Sequence, residues 1–499
     1  MSSQIINEVR KGFYLDSVAL MRISRAIIDM PGVESAALMM GSASNLEIMG
    51  NAGLLNEVGQ AAESGDLIIA VLANDKESAE MALSQSRSLL DEPRSNATDE
   101  NSWQPRTLRA AVKLAPDSSL VLISVPGDFA IAEARKAIRR GLHAMIFSDN
   151  IPVSEEAALK QEARELGQLV MGPDCGTSII NGVPLAFANK LPRGDIGIIG
   201  ASGTGIQEVS CLIAQYGGGI SHAIGVGGRD LKSEVGGIST LMSLDALDAD
   251  ALTKHIVIVS KPPPDDMIAK VLQRVGESAK PATICFIGAK ALTMPDNATQ
   301  VFSLKAAAQS AMGLPADNAA SDEIHLPQGK NRVVGLFSGG TLCAEAQVIF
   351  HNNDEKLTSN APIPGVPLLT GVDSCHLLLD LGSDEYTRGK PHPMIDPTVR
   401  DETLIEALAS DNVAIILIDV VLGFGAHQDP AGHLADIITN HSSDNGPAIV
   451  ASVTGTEADP QIRSTQVAKL TAIGVQVAPT NADAANWALG AMRSSTKSL

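Results

Sequence analysis

The chain has 499 residues, a formal net charge of −20 and a pI near 4.9. That surplus of acid excludes nucleic acid as a partner, since nucleic-acid binding needs clustered Lys and Arg, and it excludes an anionic membrane surface. No stretch approaches the roughly 18 apolar residues of a membrane span. The opening Met1-Ser-Ser-Gln-Ile-Ile-Asn-Glu lacks a basic stretch followed by an apolar one, so a cytoplasmic protein is expected. With 44% hydrophobic but only 3% aromatic residues, Ala, Ile, Val and Leu build the cores, as in parallel α/β proteins. The five cysteines are widely spaced without a CxxC pair, and no HxxxH occurs, so no metal site is expected.

In chain order, residues 1–91 alternate short strands (Glu34 to Met40, Asp66 to Ala73) with helical periodicity (Ser17 to Met30, Lys76 to Leu90), which reads as a small ferredoxin-like α+β domain. The polar, Pro-flanked stretch from Asp91 to Pro105 reads as a linker. Residues 106–192 repeat strand–helix units, with strands at Leu120 to Val125, His143 to Ser148 and Leu169 to Gly172. Residues 193–315 do so again, with strands at Ile196, Ala223, Ile256 and Ala282. After a second linker, residues 331–499 form a third α/β unit. Strands alternating with helices predict parallel sheets.

Two matched turns stand out, about 140 residues apart. One reads Gly200-Ala201-Ser202-Gly203-Thr204-Gly205 with Glu208 following, the other Phe337-Ser338-Gly339-Gly340-Thr341-Leu342 with Glu345 following. Each follows an apolar strand and opens a helix, so backbone N–H groups converge at the positive end of a helix dipole. Ser202, Gly203 and Thr204 together with Ser338, Gly339, Gly340 and Thr341 are therefore the candidate phosphate cradle, within one chain or across a dimer. Glu208 and Glu345 sit early in each helix, where the dipole favours a carboxylate.

Other unusual residues fall at the carboxyl ends of strands, where open α/β sheets bind ligands. These are Asp174 and Cys175 after one strand, Gly227-Gly228-Arg229-Asp230 after another, and the loop Gly389-Lys390-Pro391-His392-Pro393-Met394-Ile395-Asp396-Pro397. Arg229 suits bidentate recognition of a carboxylate or phosphate. Asp230 either orients it or caps the next helix. Lys390, His392 and Asp396 form a polar cluster on a Pro-stiffened loop, with His392 the candidate acid/base. No histidine lies near Cys175 in sequence, which favours a small buried residue over a nucleophile.

These motifs resemble the FdrA family, a branch of the succinyl-CoA synthetase (acyl-CoA ligase) superfamily. The likeness rests on Met171-Gly-Pro-Asp-Cys-Gly-Thr-Ser178, Ile199 to Glu208, Gly227-Gly-Arg-Asp230, Ser338-Gly-Gly-Thr341 and Gly389 to Pro397. The resemblance implies a Rossmann-like CoA-binding-type domain at 106–192 and two flavodoxin-like ligase-type domains at 193–315 and 331–499. It also implies that the two turns begin paired "power helices". Succinyl-CoA synthetases carry a phosphohistidine late in the first ligase domain, whereas here Phe286-Ile-Gly-Ala-Lys290 onward has no histidine before His325. Their ATP-grasp domain is missing too, as is a Gly-x-Gly-x-x-Gly fingerprint. The motifs are closest to subunits of oxamate carbamoyltransferase in allantoin and purine nitrogen breakdown. That implies conversion of oxalurate and phosphate to oxamate and carbamoyl phosphate, with Arg229 and Lys390 holding oxamate and Asp174, Cys175, Gly227, Gly228, Asp230 and Asp396 lining the substrate. It also implies operon-encoded partner subunits in a hetero-oligomer, or a homodimer, and no certain cofactor. The alternatives are an acyl-CoA ligase that retains CoA, and a non-catalytic scaffold.

Overall fold

The structure, a computed structural model, describes residues 3–15, 17–91, 105, 107–317, 324–370, 375–387 and 391–496. The linker expected between Asp91 and Pro105 falls almost wholly outside the described residues, as does Lys390. The chain divides at Gln168/Leu169 into two compact units. Among the described residues no helix is long and apolar enough to cross a membrane.

The first unit opens with a small α+β domain. Strands Gln4–Arg10 and Val33–Met40 flank Leu67–Ala73, both antiparallel to it. The central strand is an unbroken apolar run because both its faces are covered. Ile69 and Val71 pack with Leu20, Ile27 and Leu83, while Ile68 and Ala70 meet Met49 and Leu54 on the other side. Later in this unit, strands Leu120–Ile123 and His143–Ile146 pair in parallel, as strand–helix alternation predicts.

The second unit holds two parallel sheets of the same design. In the first, Arg193–Gly200, Ile220–Gly225, His255–Ser260, Ala282–Phe286 and Ala298–Gln300, counted one to five, lie in the order 2-1-3-4-5. In the second, Arg332–Phe337, His376–Asp380, Val413–Val421, Ala448–Thr454 and Gln476–Ala478 lie in that order again. This is the flavodoxin-like order, with its switch point at strand one. The first sheet is extended beside its second strand by an antiparallel hairpin, Thr177–Ile180 and Val183–Ala186. Its turn, Asn181-Gly182, has φ of +53° and +79°. Asn-Gly is the preferred pair for such a turn and was a readable hairpin signal in the sequence.

The two sheets share one core. The helix after strand one of each half (Gly203–Gln215 and Gly340–His351) packs with the last helix of each half (Leu304–Ala311 and Asn481–Thr496). Ile206, Val209, Leu342, Ala346, Ala307 and Ala485 all belong to the shared cluster. The two helices after strand one are buried on nearly every side because they are enclosed by protein, which is why their sequences lack a clean polar face.

The glutamates of the two matched helices fasten this layer by exchange. Glu345 Oε1 accepts the Leu304 N–H (2.6 Å) at the start of the first half's last helix. Glu208 Oε1 accepts the Asn481 N–H (3.2 Å) at the start of the second half's last helix. Each carboxylate thus satisfies a helix N-terminus of the opposite half rather than its own. Asn481 joins the two, its Nδ2 donating to Glu345 Oε2 (2.7 Å) and to Leu342 O (3.0 Å). Lys305 adds a buried ion pair with Asp483 (2.9 Å). Replacing Asn481 by Ala strands a buried oxygen of Glu345 and should cost about 2–3 kcal/mol. Asn486→Ala, at an exposed site on the same helix, should cost well under 1 kcal/mol. Urea unfolding of both variants checks this, and equal losses would remove Asn481 from its joining role.

Candidate functional site

The first turn follows a strand whose Ile196, Ile198 and Ile199 are buried. The strand ends at Gly200 because a β-carbon there would lie 2.3 Å from the Ile206 side chain. Ser202 then adopts an extended conformation (φ −147°, ψ 126°) and its Oγ accepts the Gly205 N–H at 3.2 Å, capping the helix. The second turn is built alike, with Gly339 extended (φ −101°, ψ 111°) before Gly340. The two helix starts meet within one chain. Ser202 Oγ hydrogen-bonds Thr341 Oγ1. A methyl group on Gly205 would stand 3.3 Å from the Thr341 methyl, and one on Gly339 would stand 3.0 Å from Thr204. Small residues at these turns are what allow the contact.

The turns differ in what their N–H groups bind. In the second, the Ser338 and Gly339 N–H groups donate to the two carboxylate oxygens of Asp419, at 2.6 and 2.7 Å. Asp419 is fully buried, and Arg400 Nη1, itself buried, lies 3.3 Å from its Oδ1. Burial pushes this carboxyl up, while Arg400 and the two N–H groups oppose the shift. Asp380, 6% exposed, adds a second carboxylate whose Oδ2 would stand 2.6 Å from a β-carbon on Gly340. In the first turn the Ala201 N–H donates to the Val259 carbonyl instead. The N–H groups of Ser202, Gly203 and Thr204 have no protein acceptor among the described residues, nor do those of Gly340 and Thr341. Sheet register explains the contrast. Gly200 pairs with Gly225 and Val259, whereas Phe337 pairs with Asp380 and Leu336 with Ile418, one residue before Asp419.

Of the other candidates, several converge on the first turn. A β-carbon on Gly227 (φ +85°) would lie 2.4 Å from the Pro173 carbonyl, so the loops carrying Asp174 and Arg229 run back to back. A β-carbon on Gly228 would lie 3.7 Å from the Ala201 carbonyl. Asp174 is exposed and Arg229 partly buried. Cys175 is buried, and its thiol donates to the Gly225 carbonyl (3.2 Å), a packing role. Asp230 caps the helix Ile238–Ala249 through the Ser239 and Thr240 N–H groups (3.1 and 2.9 Å), one of the two roles open to it in the sequence.

His392 lies over Gly382, beside the second turn. Its Nδ1 accepts the Met394 N–H (3.2 Å), so Nε2 carries the proton of the neutral ring. Asp396 accepts from the Thr398 N–H and hydroxyl (3.1 and 2.7 Å), capping the short turn Pro397–Arg400 that delivers Arg400 to Asp419. The Pro-stiffened loop therefore supports the second turn from below. Asp380, Asp419, Arg400 and Asn481 carry roles that sequence reasoning missed. Asp380 and Asp419 stand at or near the ends of strands two and three of the second half, the one signal that could have found them.

Burial pushes the His392 imidazole down to about 4 from its ordinary 6.5. Between those values the unfolded chain binds a proton here that the folded chain does not, so this group lowers stability as pH falls from 6.5 towards 4. The stability advantage of wild type over His392→Gln should therefore shrink across that window and stay constant above it. In NMR the His392 ring signal should not move between pH 6 and 8. A midpoint near 6.5 would return His392 to acid–base duty.

Three family models match the chain. One described as CoA-ligase covers residues 336–490, a CoA binding domain covers 193–288, and one described as AllF, heavy metal-associated domain covers 1–105. The CoA binding match falls on the first flavodoxin-like half, whereas the resemblance set the CoA-binding-type domain at 106–192. Residues 1–105 hold neither an imidazole nor a thiol for such a metal, since the first histidine of the chain is His143 and the first cysteine Cys175. The chain is 39% identical to the uncharacterized protein YahF of Escherichia coli (strain K12) over 455 residues, 88% of this chain and 87% of that one. It is 26% identical over 159 residues to the ADP-forming succinate–CoA ligase subunit alpha 2 of Archaeoglobus fulgidus, 31% of this chain and 54% of that subunit. The apo dinucleotide-forming acetyl-coenzyme A synthetase 1 of Ca. Korarchaeum cryptofilum aligns with 76% of this chain and 85% of its own at 18% identity, with a TM-score of 0.31. The expected carbamoyltransferase is corrected by these matches, whose domains are those of CoA ligases. The chain belongs to the family of YahF, in which an AllF-type N-terminal domain precedes CoA-binding and CoA-ligase domains of the succinyl-CoA synthetase-like superfamily.

Proposed function

We propose that the chain is the acyl-transfer subunit of an acid–thiol (CoA) ligase, acting on a small carboxylic acid through a phosphorylated intermediate. The observation that carries this reading is the meeting of two helix N-termini at the switch points of two flavodoxin-like sheets, with the N–H groups of Ser202, Gly203 and Thr204 open. Such a point favours an anion through both donors and dipole. The first turn would hold the phosphate of an acyl phosphate and stabilise the charge that gathers there as the acyl carbon–oxygen bond breaks. Arg229, on the loop against Ala201, would hold the acid, with Lys390 as a second cation. Coenzyme A, when bound, supplies the thiol that accepts the acyl group, and the CoA binding match over 193–288 supports placing it on that half. The nucleotide-dependent step would belong to a partner subunit in a hetero-oligomer. Relatives that are ADP-forming succinate–CoA ligase subunits support the reaction class.

The chain, purified with its partner subunits, should form acyl-CoA from a carboxylic acid only when ATP and CoA are both present. CoA alone should protect the isolated chain against heat. Arg229→Ala should raise KM for the acid at least tenfold and leave the CoA-dependent rise in Tm intact. Equal losses of both, or no acyl-CoA from any small acid, would overturn the assignment.

A further inference from the structure

Four carboxyl oxygens meet in the seam between the two flavodoxin-like halves, and what faces each of them decides where a proton can sit. The Leu304 N–H reaches Glu345 Oε1 and can only donate. The Leu342 carbonyl can only accept, so it fixes the orientation of the Asn481 amide, which must present N–H to Glu345 Oε2 as well. Glu208 Oε1 takes the Asn481 backbone N–H, again a group that can only donate. Glu208 Oε2 alone faces a group of either sense, the Thr454 hydroxyl.

Both glutamates are buried, and among the described residues neither has an ion-pair partner. Of the cations on the elements packed around them, Lys305 is taken by Asp483 and Asp317, and Arg463 gives its Nε to the Val453 carbonyl. Arg463 favours charge on Glu208 through space, while Asp419 opposes it and Asp483 opposes charge on Glu345. The buried Cys211 and Cys285 thiols and the Tyr216 hydroxyl are all pushed up and stay neutral. Two buried carboxylates without a cation are costly to keep charged together. Burial pushes both carboxyls up, Glu345 to about 7, and the charge of Glu208 adds to that rise. A proton taken up between such groups belongs to the pair, and the donors around Glu345 leave it a place only on Glu208.

We infer that the seam closes on one proton, held on Glu208 Oε2 and donated to Thr454 Oγ1, with Glu345 as the carboxylate, so that the join between the halves is a proton-dependent latch. In this state the Thr454 hydroxyl turns from donor to acceptor. The folded pair keeps its proton above the ordinary 4.5 of a glutamate, so the stability it contributes is full below 4.5 and is lost as pH rises towards 7. Losing the proton puts a second charge into the layer that holds the two helix starts in register.

Thermal unfolding of the full chain between pH 5 and pH 8 tests this. Glu208→Gln reproduces the protonated state, with its amide oxygen on the Asn481 N–H and its NH2 on Thr454. It should stay close to wild type in Tm near pH 5 and overtake it as pH rises to 7, the gap staying constant above. The His392 effect is common to both chains and cancels. Glu345→Gln must turn an NH2 against the Leu304 N–H or the Asn481 amide, and should lower Tm by about 5 °C or more at every pH. Infrared difference spectra, wild type minus Glu208→Gln, should show a protonated carboxyl band at pH 6 that fades by pH 8. Tm curves that run parallel for wild type and Glu208→Gln would overturn the latch. A tolerated Glu345→Gln beside a destabilised Glu208→Gln would move the proton to Glu345 and overturn the assignment. A wild-type chain with no protonated carboxyl band at pH 6 would overturn it without any variant.

Discussion

Two helices meeting end to end at their N-termini is the contact on which the rest of this structure depends. Both ends carry partial positive charge, and at a separation small enough for Ser202 to hydrogen-bond Thr341 they repel. The fold offsets this in part. Asp419 brings negative charge directly onto the second turn, where the dipole and two N–H groups hold a carboxylate that burial alone would disfavour. Among the described residues, open N–H groups remain at both helix starts, on Ser202, Gly203 and Thr204 and on Gly340 and Thr341. An anionic ligand there would relieve what repulsion is left.

Packing makes that contact durable. The two helices and the two last helices of each half form one apolar layer, and a layer of apolar side chains tolerates sliding unless polar groups set its register. Glu208, Glu345 and Asn481 do so. Burial raises both carboxyls, Glu345 to about 7, and each is left with N–H or hydroxyl donors from the opposite half. A shift of one half against the other would strand a buried carboxylate, which is far more costly than a lost apolar contact. The joint therefore holds the two turns in one relative position.

Much of this was legible in the sequence because it is local. Alternating apolar runs and helical periods gave the parallel sheets, and the strand–Gly–helix pattern located both turns. The hairpin at Asn181-Gly182 was equally local and could have been read. The partners were not legible. Asp419 lies some 80 residues from Ser338, and nothing between them says that strand three sits beside strand one. Nor could the sequence say which helix Asp230 caps, since the N–H groups it accepts begin nine residues on. His392 between two prolines was legible as a polar residue on a stiff loop, but the Met394 N–H that takes its Nδ1 and the desolvation that lowers its imidazole were not.

Likeness of shape and identity of site separate twice in this chain. The N-terminal domain matches a heavy metal-associated model without a thiol or imidazole, and what it keeps is a three-stranded antiparallel sheet with helices on both faces of its packed apolar strand. The two flavodoxin-like halves match each other in strand order, turn and glutamate, yet they differ in their strand-end residues, Gly225 and Val259 against Asp380 and Asp419, so a carboxylate takes two N–H groups of the second turn where a carbonyl takes one of the first. In both cases the fold is carried by apolar spacing and glycine, which tolerate exchange at the rim. The chemistry is carried by one or two side chains at the strand ends, and these can change while the fold stays the same.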